Sequence, residues 1–69
     1  MHYKVAVIGL GYVGLSLSTF LGTKTDVIGV DSDYEKIRLL SKGKSYFYEP
    51  KLEYYLKKSI RKGLRFSND

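Results

Sequence analysis

The stretch Tyr3-Lys4-Val5-Ala6-Val7-Ile8-Gly9-Leu10-Gly11-Tyr12-Val13-Gly14 decides how this chain is read. Its first half is a short β-branched run closed by a glycine, the pattern of a parallel-sheet strand buried on both faces. Its second half fits Gly-x-Gly-x-x-Gly. Placed between a strand and a helix, that pattern has a mechanical meaning at each glycine. Gly9 permits a tight turn out of the strand, Gly11 leaves room for a pyrophosphate against the backbone, and Gly14 lets the new helix pack close on the sheet. The helix N-terminus then presents unpaired N–H groups and a partial positive charge to phosphate.

The next strand supplies a partner for that turn. Asp26 to Asp31 reads as a second buried strand, and Asp31 follows Gly9 by 22 residues and Gly14 by 17. That is near the spacing expected of a ribose-binding carboxylate. A carboxylate accepts hydrogen bonds from both ribose hydroxyls and repels a 2′-phosphate, which favours NAD over NADP. The alternative for Asp31 is a turn residue ahead of a helix. Lys36 either faces the adenine side of such a site or is a solvated helix residue, and with Arg38 it could soften the preference for NAD. Asp33 reads as a first-turn helix carboxylate.

Further along, Val13, Leu17, Phe20 and Leu21 recur at helical spacing and predict one apolar face, ended by Gly22. Ser32 and Glu35 have the capping-box separation for a second helix, which carries Ile37, Leu39 and Leu40 inward and stops near Gly43. Lys44 to Tyr48 is an aromatic-rich loop whose rings cover the end of the core. Glu49-Pro50 opens a third helix, with Glu49 capping and proline at the first helical position. Leu52, Tyr55, Leu56 and Ile60 form its predicted buried face, Arg61, Lys62 and Gly63 its end. Leu64 to Ser67 is a candidate third strand.

The order β-α-β-α-α-β predicts an α/β fold with a three-stranded parallel sheet, strand order 3-2-1. This is a partial Rossmann fold: residues 1–69 form the N-terminal half of an NAD-binding domain. Composition agrees with the globular reading, at 43% hydrophobic and 28% charged residues. There is no cysteine, which excludes disulfides, Cys-based zinc sites and thiol catalysis within these 69 residues and leaves the cytosol the default compartment. The uncharged run from Val5 to Gly22 is broken by glycine, serine and threonine, unlike a signal or membrane segment. The net charge of +5 comes almost entirely from residues beyond Lys36.

Beyond these patterns, the whole chain resembles the N-terminus of the UDP-glucose/GDP-mannose dehydrogenases, which oxidise a nucleotide sugar to its uronic acid with NAD. The resemblance is carried by Val7-Ile8-Gly9-Leu10-Gly11-Tyr12-Val13-Gly14-Leu15, by Gly29-Val30-Asp31-Ser32-Asp33 with Lys36-Ile37, by Leu40 to Gly43, and by Tyr48-Glu49-Pro50 with Leu52-Glu53. It implies that Gly9, Gly11, Tyr12, Val13 and Gly14 line the pyrophosphate turn, that Asp31 holds the adenosine ribose, and that Lys36 lies near the adenine. Lys51 departs from the glycine common after the proline and takes no ligand role. Ser16 stands where relatives often carry proline or another small residue. The family forms a thioester on a cysteine of a later domain, so the resemblance implies a fragment that binds part of NAD and oxidises nothing alone.

Two other readings stay open at this point. Another Rossmann dehydrogenase, of the hydroxyacyl-CoA or 6-phosphogluconate type, shares the glycines and the acidic residue but is not expected to carry the Tyr-Glu-Pro segment. A nucleic-acid-binding module is suggested by Lys51, Lys57, Lys58, Arg61, Lys62 and Arg65 near several aromatics. The bland account of that basic cluster is the solvated outer face of an amphipathic helix. Without a second half of the fold, the strand Tyr3–Ile8 is expected to present an open edge and to promote self-association.

Overall fold

A computed structural model describes residues 3–47 and 49–69. The elements follow the order β1 (Val5–Ile8), α1 (Tyr12–Gly22), β2 (Val27–Val30), α2 (Tyr34–Ser41), α3 (Pro50–Arg61) and β3 (Arg65–Ser67). The three strands form one sheet in the order β1-β2-β3, with both pairings parallel and β2 central, as the 3-2-1 order requires. Val7 stands opposite Gly29, and Gly29 opposite Phe66.

Both crossovers move in the same direction across the sheet, and right-handed connections of that kind lie on the same side. The helices therefore cover one face only. The core on that side contains Val7, Leu10, Leu15, Val27, Ile37, Leu40, Leu52, Leu56 and Leu64, with Phe66 packed against it. On the opposite face Ile8 is 75% exposed and Ala6 is exposed beside it. The expectation that the first strand is buried on both faces is corrected here: β1 buries the Val7 side alone.

Helix α1 departs from its apolar spacing. Val13 is 77% exposed, and Leu17 and Phe20 also face outward, so three of the four residues of the predicted inward stripe point away from the core, while Leu21 is half-buried and packs against it. The buried face is Leu15, Ser18, Thr19 and Gly22. Short side chains win because α1 lies close to α3 and the sheet. A Cβ on Gly22 would come within 3.1 Å of Ser59 Cβ and 3.2 Å of Leu64 Cβ. Ser59 Oγ donates to the Thr19 carbonyl at 2.5 Å, and Ser18 Oγ to the Gly14 carbonyl at 2.8 Å, which satisfies hydroxyls buried in this contact.

The other helices follow their signals more closely. Asp33, rather than Ser32, caps α2: its carboxylate accepts from the N–H groups of Glu35 and Lys36 at 3.1 and 3.3 Å. Its extended backbone one residue before the first helical turn gives it the position that Ser32 was expected to fill. Glu49 caps α3 by accepting from Lys51 N–H at 3.1 Å, and Pro50 sits at the helix start. Leu52 and Leu56 point inward as expected, with Ile60 half-buried, whereas Tyr55 is exposed and Ser59 takes a buried position against α1. The expected strand at residues 64–67 is present as β3, with Leu64 buried just before it. Tyr48, part of the expected aromatic loop, lies outside the described residues.

Candidate functional site

The site forms where β1 and β2 end. Gly9 leaves β1 with φ of +89°, a left-handed conformation that glycine adopts without steric cost, and its N–H donates to the Val30 carbonyl at 2.7 Å. The chain then turns through Leu10, whose side chain is fully buried. Gly11 is the residue before the helix and has no side chain to cap it. A Cβ there would meet nothing within 4 Å, so the first turn of α1 opens directly to the outside. Gly14 is the opposite case. A Cβ on Gly14 would overlap the Gly9 carbonyl oxygen, so only glycine brings the helix this close to the turn.

Asp31 connects this turn to the second strand. Its Oδ2 accepts from the Leu10 N–H at 2.9 Å, and its Oδ1 accepts from the Asp33 N–H at 2.9 Å. The Lys36 ammonium stands 3.5 Å from Oδ2. The Asp33 N–H, the Leu10 N–H and the Lys36 charge together hold the Asp31 carboxyl below its ordinary value, against an opposing effect of burial. The side chain is only 14% exposed yet keeps its edge at the mouth of the turn. The two readings of Asp31 left open by its sequence position are thus compatible. It makes a local turn contact, and it also faces the glycine loop.

Lys36 is neither freely solvated nor isolated. Its ammonium lies beside Asp31 and 5.0 Å from the centre of the Tyr46 ring. Tyr46 packs on Phe47 at 4.5 Å between ring centres, and Phe47 meets Tyr12 edge-on at 5.2 Å. A continuous wall of Lys36, Tyr46, Phe47 and Tyr12 therefore borders the glycine turn. Val13 lies on the exposed first turn of α1 beside it. Burial, with Asp31 and Asp33 nearby, pushes the Tyr46 phenol up to about 12, so it stays neutral at ordinary pH.

Sequence reading brought Gly9, Gly11, Tyr12, Val13, Gly14, Asp31 and Lys36 to one site, and they do converge. It missed Tyr46 and Phe47 as members of the wall, treating them only as core cover. Both are half-buried against the core, so that reading holds in part. The signal was available in the aromatic density of the loop, but sequence distance hid its approach to Tyr12.

The arrangement as a whole, a glycine turn under an open helix N-terminus with a carboxylate on the neighbouring strand, fits a dinucleotide. Residues 3–69 match the model of the UDP-glucose/GDP-mannose dehydrogenase family NAD-binding domain. The chain belongs to this family. It is 43% identical over 68 residues to a GDP-mannose 6-dehydrogenase of Pseudomonas savastanoi pv. phaseolicola, covering 96% of this chain and 16% of that protein. The UDP-glucose dehydrogenase of Pyrobaculum islandicum superimposes with a TM-score of 0.90 at 28% identity, covering all of this chain and 16% of that one. The GDP-mannose dehydrogenase of Pseudomonas aeruginosa gives a TM-score of 0.87 at 37% identity, over 96% of this chain and 16% of that one.

The chain thus spans about one-sixth of these nucleotide-sugar dehydrogenases and matches their NAD-binding portion. The expected cofactor, NAD, is the cofactor of the matched domain. The expected family and the α/β Rossmann-type fold are both borne out. Among the described residues no helix is long and apolar enough to cross a membrane, and no cluster of metal-ligating side chains occurs.

Proposed function

We propose that these 69 residues form the adenosine-binding half of the NAD site of a nucleotide-sugar dehydrogenase. The observation that carries this reading is the Leu10–Asp31 bond, which places a carboxylate edge beside an unobstructed helix N-terminus. In the proposed complex the N–H groups around Gly11, Tyr12 and Val13 bind the pyrophosphate, and Gly9 and Gly14 shape the turn that presents them. Asp31 accepts hydrogen bonds from the adenosine ribose. Lys36, held by Asp31 and Tyr46, borders the adenine.

Asp31 disfavours a 2′-phosphate by charge, and Lys36 offsets only part of that repulsion because its ammonium is already paired. NAD is therefore the preferred dinucleotide over NADP. The substrate of the whole enzyme is a UDP- or GDP-linked sugar oxidised to the uronic acid, with UDP-glucose the leading choice. The 69 residues do not oxidise it by themselves: they contain no cysteine to form a thioester with the sugar carbon. They fold as the first half of a Rossmann domain, and the free β1 edge promotes self-association in the absence of a neighbouring strand.

Titration with NAD⁺ and with ADP-ribose, followed by calorimetry, tests the assignment of the adenosine half. The two ligands share the adenosine and pyrophosphate, so equal affinity within about threefold is expected. Binding of NAD⁺ without measurable ADP-ribose binding would contradict the proposal.

A further inference from the structure

A second surface lies between α1 and α3, on the side of the helices turned away from the sheet. It is an open groove of about 580 Å³. Ser16, Thr19, Phe20 and Thr23 line it from α1 at helical spacing, and Leu52 and Tyr55 line it from α3. The stripe on α1 reaches back to Tyr12, a length of about 16 Å at the rise of a helix. Both helices return antiparallel to the strands and therefore run parallel to each other, so the groove is elongated along them.

Its floor has small side chains, which permit close approach by another backbone. Thr19 is 3% exposed, and its Oγ1 is buried without a hydrogen-bond partner among the described residues. A hydroxyl in that state is a cost that an incoming polar atom removes. Phe20 and Tyr55 stand exposed as aromatic walls. On the α3 rim Lys51 and Lys58 flank the groove. Glu49 also lines it, its carboxylate accepting from the Lys51 N–H at 3.1 Å, so the lining carries two ammonium groups and one carboxylate. Lys57 and Arg61 add positive charge elsewhere on the same helix. Neither rim lysine belongs to an ion pair among the described residues.

We infer that this groove docks an amphipathic helix with acidic flanks from a partner polypeptide. Length, two parallel helical walls and an apolar floor fit the helix-in-groove mode, with anchors at i, i+4 and i+7. Complementarity to Lys51 and Lys58 selects glutamate or aspartate beside the anchors. A tyrosine as the middle anchor supplies both a ring for Phe20 and Tyr55 and a hydroxyl for Thr19. A second copy of this chain does not meet these needs. The exposed apolar face of α1 (Val13, Leu17 and Phe20) carries no carboxylate anywhere along its helix, Ile37 and Leu40 of α2 are already buried, and the outer side of α3 carries the same positive charge as the rim. A nucleic acid would be drawn to the lysines but has no use for the apolar floor.

The inference does not depend on the nucleotide reading, and its test avoids Tyr12, which borders both surfaces. The probe is a labelled helical peptide with Leu, Tyr and Leu at i, i+4 and i+7 and glutamates at the flanking positions. Its binding to the full chain is followed by fluorescence anisotropy, and amide shifts locate it. The expected result is micromolar binding with shifts at Thr19, Phe20 and Tyr55. A peptide with the same anchors and lysine flanks binds about tenfold more weakly, and the Lys51→Glu/Lys58→Glu variant reverses that preference. These exposed substitutions leave the core intact, and an unchanged thermal melt checks the fold.

No binding, or binding indifferent to both charge swaps, overturns the proposal. So does concentration-dependent self-association that shifts the same groove amides, which would assign the surface to a second copy. Tighter binding of a labelled single-stranded oligonucleotide, lost in the double variant, would assign it to nucleic acid and overturn the proposal equally.

Discussion

Leu10 and Asp31 are joined across the sheet's C-terminal end by a 2.9 Å hydrogen bond from the Leu10 N–H to Asp31 Oδ2. The bond holds the glycine turn against β2 and fixes the carboxylate at the mouth of the site. One residue thus positions the backbone proposed to bind the pyrophosphate and presents the group proposed to meet the ribose. Structure and binding are coupled at Asp31, and its variants are expected to report on both.

That coupling gives a pH dependence with a definite sign. The Asp31 carboxyl is lowered from 3.8 in the folded chain, so its ionised form stabilises the fold. The contribution is fully present above the unfolded value and is lost as pH falls through the lower, folded value. Urea unfolding of the chain and of Asp31→Asn should therefore differ most above about pH 5 and converge as acid approaches the folded value. A difference that grows as the pH is lowered would contradict the assigned hydrogen bonds.

Gly11 and Gly14 lie in the same motif but should respond differently to alanine. At Gly14 the added methyl overlaps the Gly9 carbonyl, and a destabilisation of about 2 kcal/mol or more is expected from forced displacement of the backbone. At Gly11 the methyl meets only open space, and the stability change should stay within about 1 kcal/mol, the scale of a changed helix cap. Yet Gly11→Ala should weaken NAD⁺ binding at least about tenfold, since the methyl occupies the approach of the pyrophosphate. Thermal melts and NAD⁺ titration of both variants separate the two roles.

Tyr46 offers a prediction in the stabilising direction. Its hydroxyl is buried without a partner among the described residues, while its ring packs on Phe47 and under Lys36. Tyr46→Phe keeps the ring and removes the unsatisfied group, so stability should rise by about 1 kcal/mol. A loss of stability on denaturant titration would mean that the hydroxyl has a bonding role in solution.

The fold was legible mainly through local chemistry. Glycine spacing, the Glu49-Pro50 start and the glycines that follow α2 and α3 each act within a few residues, and the corresponding elements form where expected. The α1 face was misread because periodicity measures only where apolar residues recur. Which side faces inward depends on how closely α3 approaches, and that approach is set by Gly22 and Ser59. Ala6 and Ile8 are exposed for a separate reason: all helices lie on one side of β1-β2-β3 and leave the other face of β1 bare. The site was legible where motif spacing carried it. The Tyr12–Phe47 contact was not, since it joins residues 35 positions apart in sequence without a spacing rule.

The open side of the sheet predicts association. Ala6 and Ile8 are exposed on β1, whose only strand partner among the described residues is β2. Light scattering at tens of micromolar should give a mass above that of one chain, and Ile8→Lys should return it to the monomer value by placing charge on the strand. A monomer in both cases would remove the proposed role of the edge.

The most direct test of the nucleotide site is calorimetric titration of the chain and of Asp31→Ala with NAD⁺ and NADP⁺. The predicted result is NAD⁺ binding stronger than NADP⁺ binding, with Asp31→Ala weakening NAD⁺ at least about tenfold and narrowing the gap between the two, as loss of hydrogen bonds to a charged group requires. NAD⁺ affinity unchanged in Asp31→Ala, in a variant shown to be folded, would contradict the role assigned to this carboxylate.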